Sequence, residues 1–208
     1  MKIYKIWVGP NPLPEIFKKW TDTWSRISGA EIVDIGNEYL DKVAHSAAVQ
    51  WALKNNNYAI LNHYIRYHLL YHRGGIYMDL DVEVIRDDET WRRYNLQIGM
   101  ELPNWANNHV MICNSEYNNL FYDCMMAMDC MPYDQIFEVE LNTGPRLVTR
   151  VLQSYGYTPS EIQDEINISD ITVHPERVFS PHRWNQTFDP SEITPDTLSV
   201  HHFCHSWK

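Results

Sequence analysis

The stretch from Ile60 to Val84 constrains the fold of this 208-residue chain more than any other. Leu61, Ile65 and Leu69 recur at helical spacing, and Gly74-Gly75 closes that helix. Ile76–Met78 is then a short apolar strand that runs straight into Asp79-Leu80-Asp81, after which Val82 and Val84 restore a period of two. A helix feeding a short buried strand through a Gly-Gly turn predicts an α/β domain. Two carboxylates at the carboxyl end of such a strand lie where open α/β sheets bind ligands.

The flanking sequence extends the same pattern. Lys2–Val8 is β-rich and stopped by Gly9-Pro10, and Pro14 opens a helix with Ile16, Phe17, Trp20 and Trp24 on one face. Glu31–Ile35 reads as a second strand, and Asp41 caps a further helix through Leu53. This alternation predicts a mostly parallel central sheet with flanking helices. Trp91–Met131 mixes apolar strands with Asn-rich turns. Asn142-Thr143-Gly144-Pro145 reads as a turn into a helix over Arg146–Gln153.

Composition sets the limits. With 17 Lys+Arg against 27 Asp+Glu, the net charge of -10 excludes nucleic-acid binding through a broad basic face. A hydrophobic fraction of 44% supports one domain over residues 1–208, and no apolar run approaches the ~18–20 residues of a membrane span. The four cysteines form no C-x-x-C pair, and the first residues lack the apolar core of a secretory signal. A cytoplasmic location is the expectation.

Four groups of residues are candidates for chemistry. Asp79-Leu80-Asp81 alone says little, since roughly one D-x-D arises by chance among 14 Asp in 208 positions. Its place at a strand end suits a divalent cation carrying a phosphate group, against the alternative of a solvated turn. Arg66, inside a mostly apolar helix, needs an anionic partner, either an Asp of that motif or a substrate phosphate. His63 lies one turn earlier and is a ligand contact or a packing residue. Among the terminal residues, His201, His202 and His205 are spaced so that a helix or tight turn brings two of them to one metal. Trp7 ends the first strand at the lip of the crevice, where an indole stacks on a base or packs as a rim core residue.

Taken together these residues resemble the glycosyltransferases with a sugar-binding D-x-D region, which include yeast initiating α-mannosyltransferases, capsular-polysaccharide enzymes and the glucosylating domains of clostridial toxins. The central match is an Arg on a helix followed by G-G-[IM]-Y-[LM]-D-x-D, here Arg66 and Gly74 to Asp81. Tyr4–Gly9 is similar to the family's opening strand, Asn142–Pro145 to its T-G-P turn, and His201–Lys208 to its closing H-H-F-x-x-S-W-K. The resemblance implies a GT-A fold, a Rossmann-like domain that binds a nucleotide sugar. It implies Mn²⁺ or Mg²⁺ held by Asp79, Asp81 and His205, with His202 as the alternative to His205. Asp79, Asp81 and Arg66 are the expected catalytic residues. Trp7 and Val8 are expected at the base, His63, Arg66, Tyr77 and Asp79 around the donor, and Trp207 on the phosphates.

One departure stands out. Asn62-His63 replaces the family's usual Ser-Asp, which removes a carboxylate from the expected sugar contacts. The implied activity is metal-dependent transfer from a nucleotide sugar, a UDP-sugar foremost, to a glycan or glycoprotein acceptor with retention at the anomeric carbon. A metal-dependent phosphohydrolase and a non-catalytic nucleotide-sugar-binding module are the alternatives. Family members usually continue past the S-W motif, so the chain reads as the N-terminal domain of a longer protein. The likeness extends to enzymes with which large DNA viruses glycosylate their capsids, which implies the host cytoplasm.

Overall fold

In the computed structural model, which describes residues 1–93, 95–102, 104–158, 160, 162 and 164–204, the chain begins with β1 (Lys2–Ile6). The strand stops two residues short of Val8, ahead of Gly9 with φ 135° and of Pro10. The expected helix after Pro14 is instead a 3₁₀ turn (Glu15–Phe17), α1 (Lys18–Thr21) and a second 3₁₀ turn (Asp22–Arg26). The tighter winding turns the apolar stripe, so Phe17, Trp20 and Trp24 are buried while Ile16 is exposed. β2 (Glu31–Ile35) has the predicted bounds.

The single helix expected over Asp41–Leu53 is broken into α2 (Leu40–Val43) and α3 (Ala47–Lys54). Ser46, not Asp41, caps the longer piece, because its Oγ accepts from Val49 N–H at 3.2 Å and donates to Asp129 Oδ1 at 2.5 Å. α4 (Tyr58–Arg73) is capped by Asn57 and leads to β3 (Gly75–Met78) and β4 (Val82–Val84). Gly74 (φ 57°) and Gly75 (φ 104°) are both required here. A Cβ would lie 2.8 Å from Cys113 O at the first and 2.8 Å from Lys2 O at the second.

After α5 (Thr90–Arg93), β5 (Leu96–Leu102) and β6 (Trp105–Cys113) form a hairpin. Then come α6 (Asn119–Asp129), α7 (Val139–Thr143), α8 (Pro145–Ser154), β7 (Ile166–Ile168), β8 (Ile171–His174), α9 (Glu176–Phe179) and β9 (Ser199–His201). The expected turn at Asn142–Pro145 is therefore the end of one helix, a break at Gly144 and the start of another.

Among the described residues, a seven-stranded sheet runs in the order β2-β1-β3-β6-β5-β8-β7. The pairings make β2, β1, β3, β5 and β8 point one way and β6 and β7 the other, which is the mostly parallel α/β arrangement expected. One face packs Ile65, Leu69, Phe121 and Leu152 beneath α3, α4, α6 and α8. The other face is covered by Trp24, Trp91, Phe179 and a small β4–β9 sheet. No helix among the described residues is long and apolar enough to cross a membrane.

Candidate donor and metal site

The chain leaves β3 at Asp79, whose N–H donates to His109 O at 2.9 Å, and turns so that Val82 N–H donates back to Asp79 O at 2.9 Å. β4 then pairs antiparallel with β9, placing Val82 opposite His201. That register brings the imidazole to the D-x-D turn. His201 Nε2 lies 3.1 Å from Asp81 Oδ1 and 3.7 Å from Asp79 Oδ2. One ligand atom from each of these three buried residues lies within 4.8 Å of the others. Backbone clamps fix the second carboxylate. Cys204 N–H donates to Asp81 Oδ2 at 2.6 Å, and His202 N–H donates to Asp81 O at 2.9 Å.

Burial alone would raise the Asp81 pKa, but cationic His201 and the hydrogen bond from Cys204 outweigh it and hold the carboxyl well below its usual range. Burial alone would lower His201. The facing carboxylates, Asp81 first and then Asp79 and Glu101, raise it above the ordinary histidine value instead. Fully buried His109 stacks on His201 at 4.3 Å and is held neutral, pushed well below the ordinary histidine range by burial and then by His201.

Arg66 is completely buried, and its partner is Asp79, with Nη2 3.1 Å from Oδ1. Its Nη1 donates to Asn108 O at 2.6 Å, its Nη2 donates to Asn62 Oδ1 at 2.9 Å, and the guanidinium lies 4.0 Å above the Tyr77 ring. The Tyr77 hydroxyl donates to Asp79 Oδ1 and lies 2.9 Å from Asn62 Oδ1. Asn62, Arg66, Tyr77 and Asp79 thus form one polar lattice. With Asp79 Oδ1 held by both Arg66 and the Tyr77 hydroxyl, such a lattice fixes Asp79 against rotation.

Beside it opens a cleft of about 320 Å³, floored by Asn62, Tyr77, Asp79 and Asp81 and lipped by Trp7, Val8 and Tyr58. Trp7 is half-buried, not a core residue. Its indole N–H donates to Asn11 O at 2.8 Å, and its ring is tilted against Phe17 at 6.1 Å.

Two expected contacts are placed otherwise. His63 does not line the cleft: its Nδ1 sits 2.9 Å from Thr143 Oγ1, and burial first, then Arg66, pushes its pKa well below the ordinary value. A full helical position separates it from Asn62, which takes the floor instead. The Thr143-Gly144 segment makes room for that ring, since a Cβ on Gly144 would lie 3.0 Å from His63 Cε1. His202 is also turned away from the carboxylate pair, stacked on Trp20 at 4.9 Å with Nε2 3.0 Å from Glu83 Oε2. His205 and Trp207 lie outside the described residues.

His201 was one of three terminal histidines that the spacing offered to a metal and was not singled out, Asn62 was noted only as a departure from the family's Ser-Asp, and Tyr58, His109 and Glu101 were missed altogether. One signal was available. Leu198-Ser199-Val200-His201 alternates like a strand, which would have aimed His201, not the later histidines, at a strand partner.

Residues 14–97 match the family model described as a glycosyltransferase sugar-binding region containing a DXD motif. A solved structure titled "PaToxG Glycosyltransferase" superposes with a TM-score of 0.56 at 18% identity, covering 74% of this chain and 67% of that one. A search of curated proteins returns no match. The family model matches the segment that carries the D-x-D turn, and the superposition shows a shared fold.

Proposed function

We propose that the chain is a metal-dependent glycosyltransferase that moves a sugar from a nucleotide sugar, a UDP-sugar foremost, to a hydroxyl of a glycan or glycoprotein acceptor. Retention at the anomeric carbon, carried by the family resemblance, and a cytoplasmic site of action, carried by the cysteine pattern, complete the reading. The observation that supports it most is the Asp79–Asp81–His201 cluster at the end of a cleft large enough for a ligand.

The donor set fits a hard divalent cation, since two carboxylates and one imidazole suit Mn²⁺ or Mg²⁺. Charge makes the same demand. Among the described residues lining the cleft there is no Lys or Arg, and Arg66 below it is already engaged by Asp79. In a chain of net charge -10, a diphosphate needs a cation from elsewhere. When bound, Mn²⁺ or Mg²⁺ supplies Lewis-acid stabilisation of the charge that develops on the leaving diphosphate.

The chain's own residues do the positioning. Arg66 and the Tyr77 hydroxyl hold Asp79 in one rotamer, and Cys204 N–H and His201 hold Asp81. The carboxylates are therefore preorganised before any ligand arrives, which lowers the reorganisation cost of the reaction. Asn62 Oδ1 is consumed by Arg66, so the amide N–H₂ is the group left to meet a donor oxygen. Trp7 offers its ring to the base, and Val8 sits beside it on the rim.

A panel of nucleotide sugars, scored by thermal shift with Mn²⁺ and then by UDP release with and without glycan acceptors, tests this reading. Stabilisation by one UDP-sugar and faster UDP release with an acceptor are expected. Release at one rate regardless of acceptor would identify a hydrolase, and binding without turnover a binding module.

A further inference from the structure

We propose that Glu101 binds the acceptor, its carboxylate receiving the hydrogen bond of the hydroxyl that attacks the donor sugar. This rests on the glycosyltransferase reading above and names a residue on the opposite side of the D-x-D turn from the nucleotide cleft.

The cleft occupies the β1–α4 side of the turn, where Trp7, Tyr58 and Asn62 lie. A donor seated there with its diphosphate at Asp79 and Asp81 leaves the β5–β6–β9 side for the attacking group. Glu101 stands on that side, one residue from the end of β5, and β5 runs in the same direction as β3. Both strands therefore deliver a carboxylate to the same edge of the sheet. The β5–β6 ladder slips register between Ile98 and Met100 and again between Met100 and Leu102. Such bulges re-aim side chains, and they recur beside active sites.

The surroundings of Glu101 differ from those of its acidic neighbours. Asp79 has Arg66 and Tyr77, Asp81 has His201 and Cys204 N–H, and Glu176 has both Nε and Nη2 of Arg183. Among the described residues, no hydrogen bond or ion pair engages the Glu101 carboxyl, although the charges of His201, Asp79 and Glu176 reach it. A half-buried carboxyl kept without a partner costs stability, so a structural role leaves its position unexplained. Burial, with Asp79 and Glu176 adding to it against His201, pushes its pKa up to about 7. An unpartnered carboxylate at this edge of the sheet has its oxygens free to accept a hydrogen bond from a neutral hydroxyl, which fits an alcohol nucleophile.

The test uses Glu101→Gln and Glu101→Asp in the full chain. Affinity for UDP with Mn²⁺ is measured by calorimetry, and Mn²⁺-dependent UDP release is measured with UDP-glucose, UDP-galactose and UDP-N-acetylglucosamine, water serving as the acceptor. Glutamine matches the shape of the protonated carboxyl, so the variant is expected to fold and to bind UDP with Mn²⁺ within about twofold of the parent. Its UDP release is expected to fall about ten- to hundredfold, because a neutral amide oxygen replaces a charged acceptor of the attacking hydroxyl, with Glu101→Asp recovering part of the rate. Release at the parental rate by Glu101→Gln overturns the proposal. So does a parallel loss of UDP affinity, an unfolded variant, or an aspartate no better than glutamine, because each assigns Glu101 to the donor site or to the fold. A parent that releases UDP from none of the three sugars, neither to water nor to the glycan acceptors of the panel above, overturns the glycosyltransferase reading itself, and that result is read on the parent alone.

Discussion

His201 and Asp81 form a proton-dependent pair that any metal ion has to displace. A group whose folded pKa is raised keeps its proton to higher pH, and His201 is raised by Asp81, Asp79 and Glu101 against its burial. The pair therefore stabilises the metal-free protein below pH ~6.5 and loses that contribution as pH rises through the higher folded value. Metal binding follows the opposite course, because a ligating imidazole must first be neutral. Mn²⁺ affinity, measured calorimetrically from about pH 6 to about pH 8.5, is expected to keep climbing beyond the ordinary histidine midpoint. A plateau already reached near pH 6 would remove His201 from the ligand set. At the other end of the cleft, Trp7 spends its indole N–H on Asn11 O but leaves its ring half-buried. Trp7→Ala should weaken UDP and UDP-sugar equally, by about 1–3 kcal/mol if stacking dominates. Unchanged UDP affinity in isothermal titration would return Trp7 to a packing role.

Between α4 and β3 the chain passes through Gly74 and Gly75, where space and backbone conformation coincide. Gly75→Ala would combine a φ of 104° with a Cβ 2.8 Å from Lys2 O, a backbone atom of the adjoining strand. A loss of about 1–3 kcal/mol is expected, read as a lower urea midpoint at unchanged m-value. This turn was legible in the sequence because glycine is the residue such a geometry demands. Elements bounded by strong local signals were legible too. β2 lies between Gly29 and Gly36, and α4 ends at Gly74. What escaped depended on distant partners. The helix expected from Asp41 breaks because Ser46 is drawn to Asp129, 83 residues away. His201 was not told apart from His202 and His205 for the same reason, since the β9 partner is β4, far back in the chain, and no local pattern states which strand a terminal segment will join. Asn62 and His63 were interchanged because a helix rotates about 100° per residue, enough to move a side chain from the cleft floor to Thr143.

At the scale of the whole molecule, the candidate metal site joins segments more than a hundred residues apart, since Asp81 and His201 are separated by 120 positions. The central sheet supplies Asp79, and the small β4–β9 sheet supplies His201 against Asp81. A cation held by all three would therefore tie the last described strand to the rest of the domain. A ligand that binds only the folded state stabilises it by mass action, about 2.7 kcal/mol at a hundred times its Kd. For a chain of this size each kcal/mol corresponds to roughly 2–4 °C, so Mn²⁺ with UDP should raise Tm by about 5–10 °C. Two variants separate the metal tie from the strand itself. His201→Ala keeps Ser199 and Val200, which are fully buried, and Ser199 Oγ still donates to Phe179 O at 2.9 Å. It should leave the domain folded while the ligand-induced rise shrinks toward zero. A chain ended after Leu198 loses β9 altogether and uncovers Val82 and Val84, so its Tm without ligand should fall as well. A full Mn²⁺–UDP shift in either variant, recorded by scanning calorimetry, would show that the cation is held without the His201 imidazole, and the assignment of His201 to the metal would fall with it.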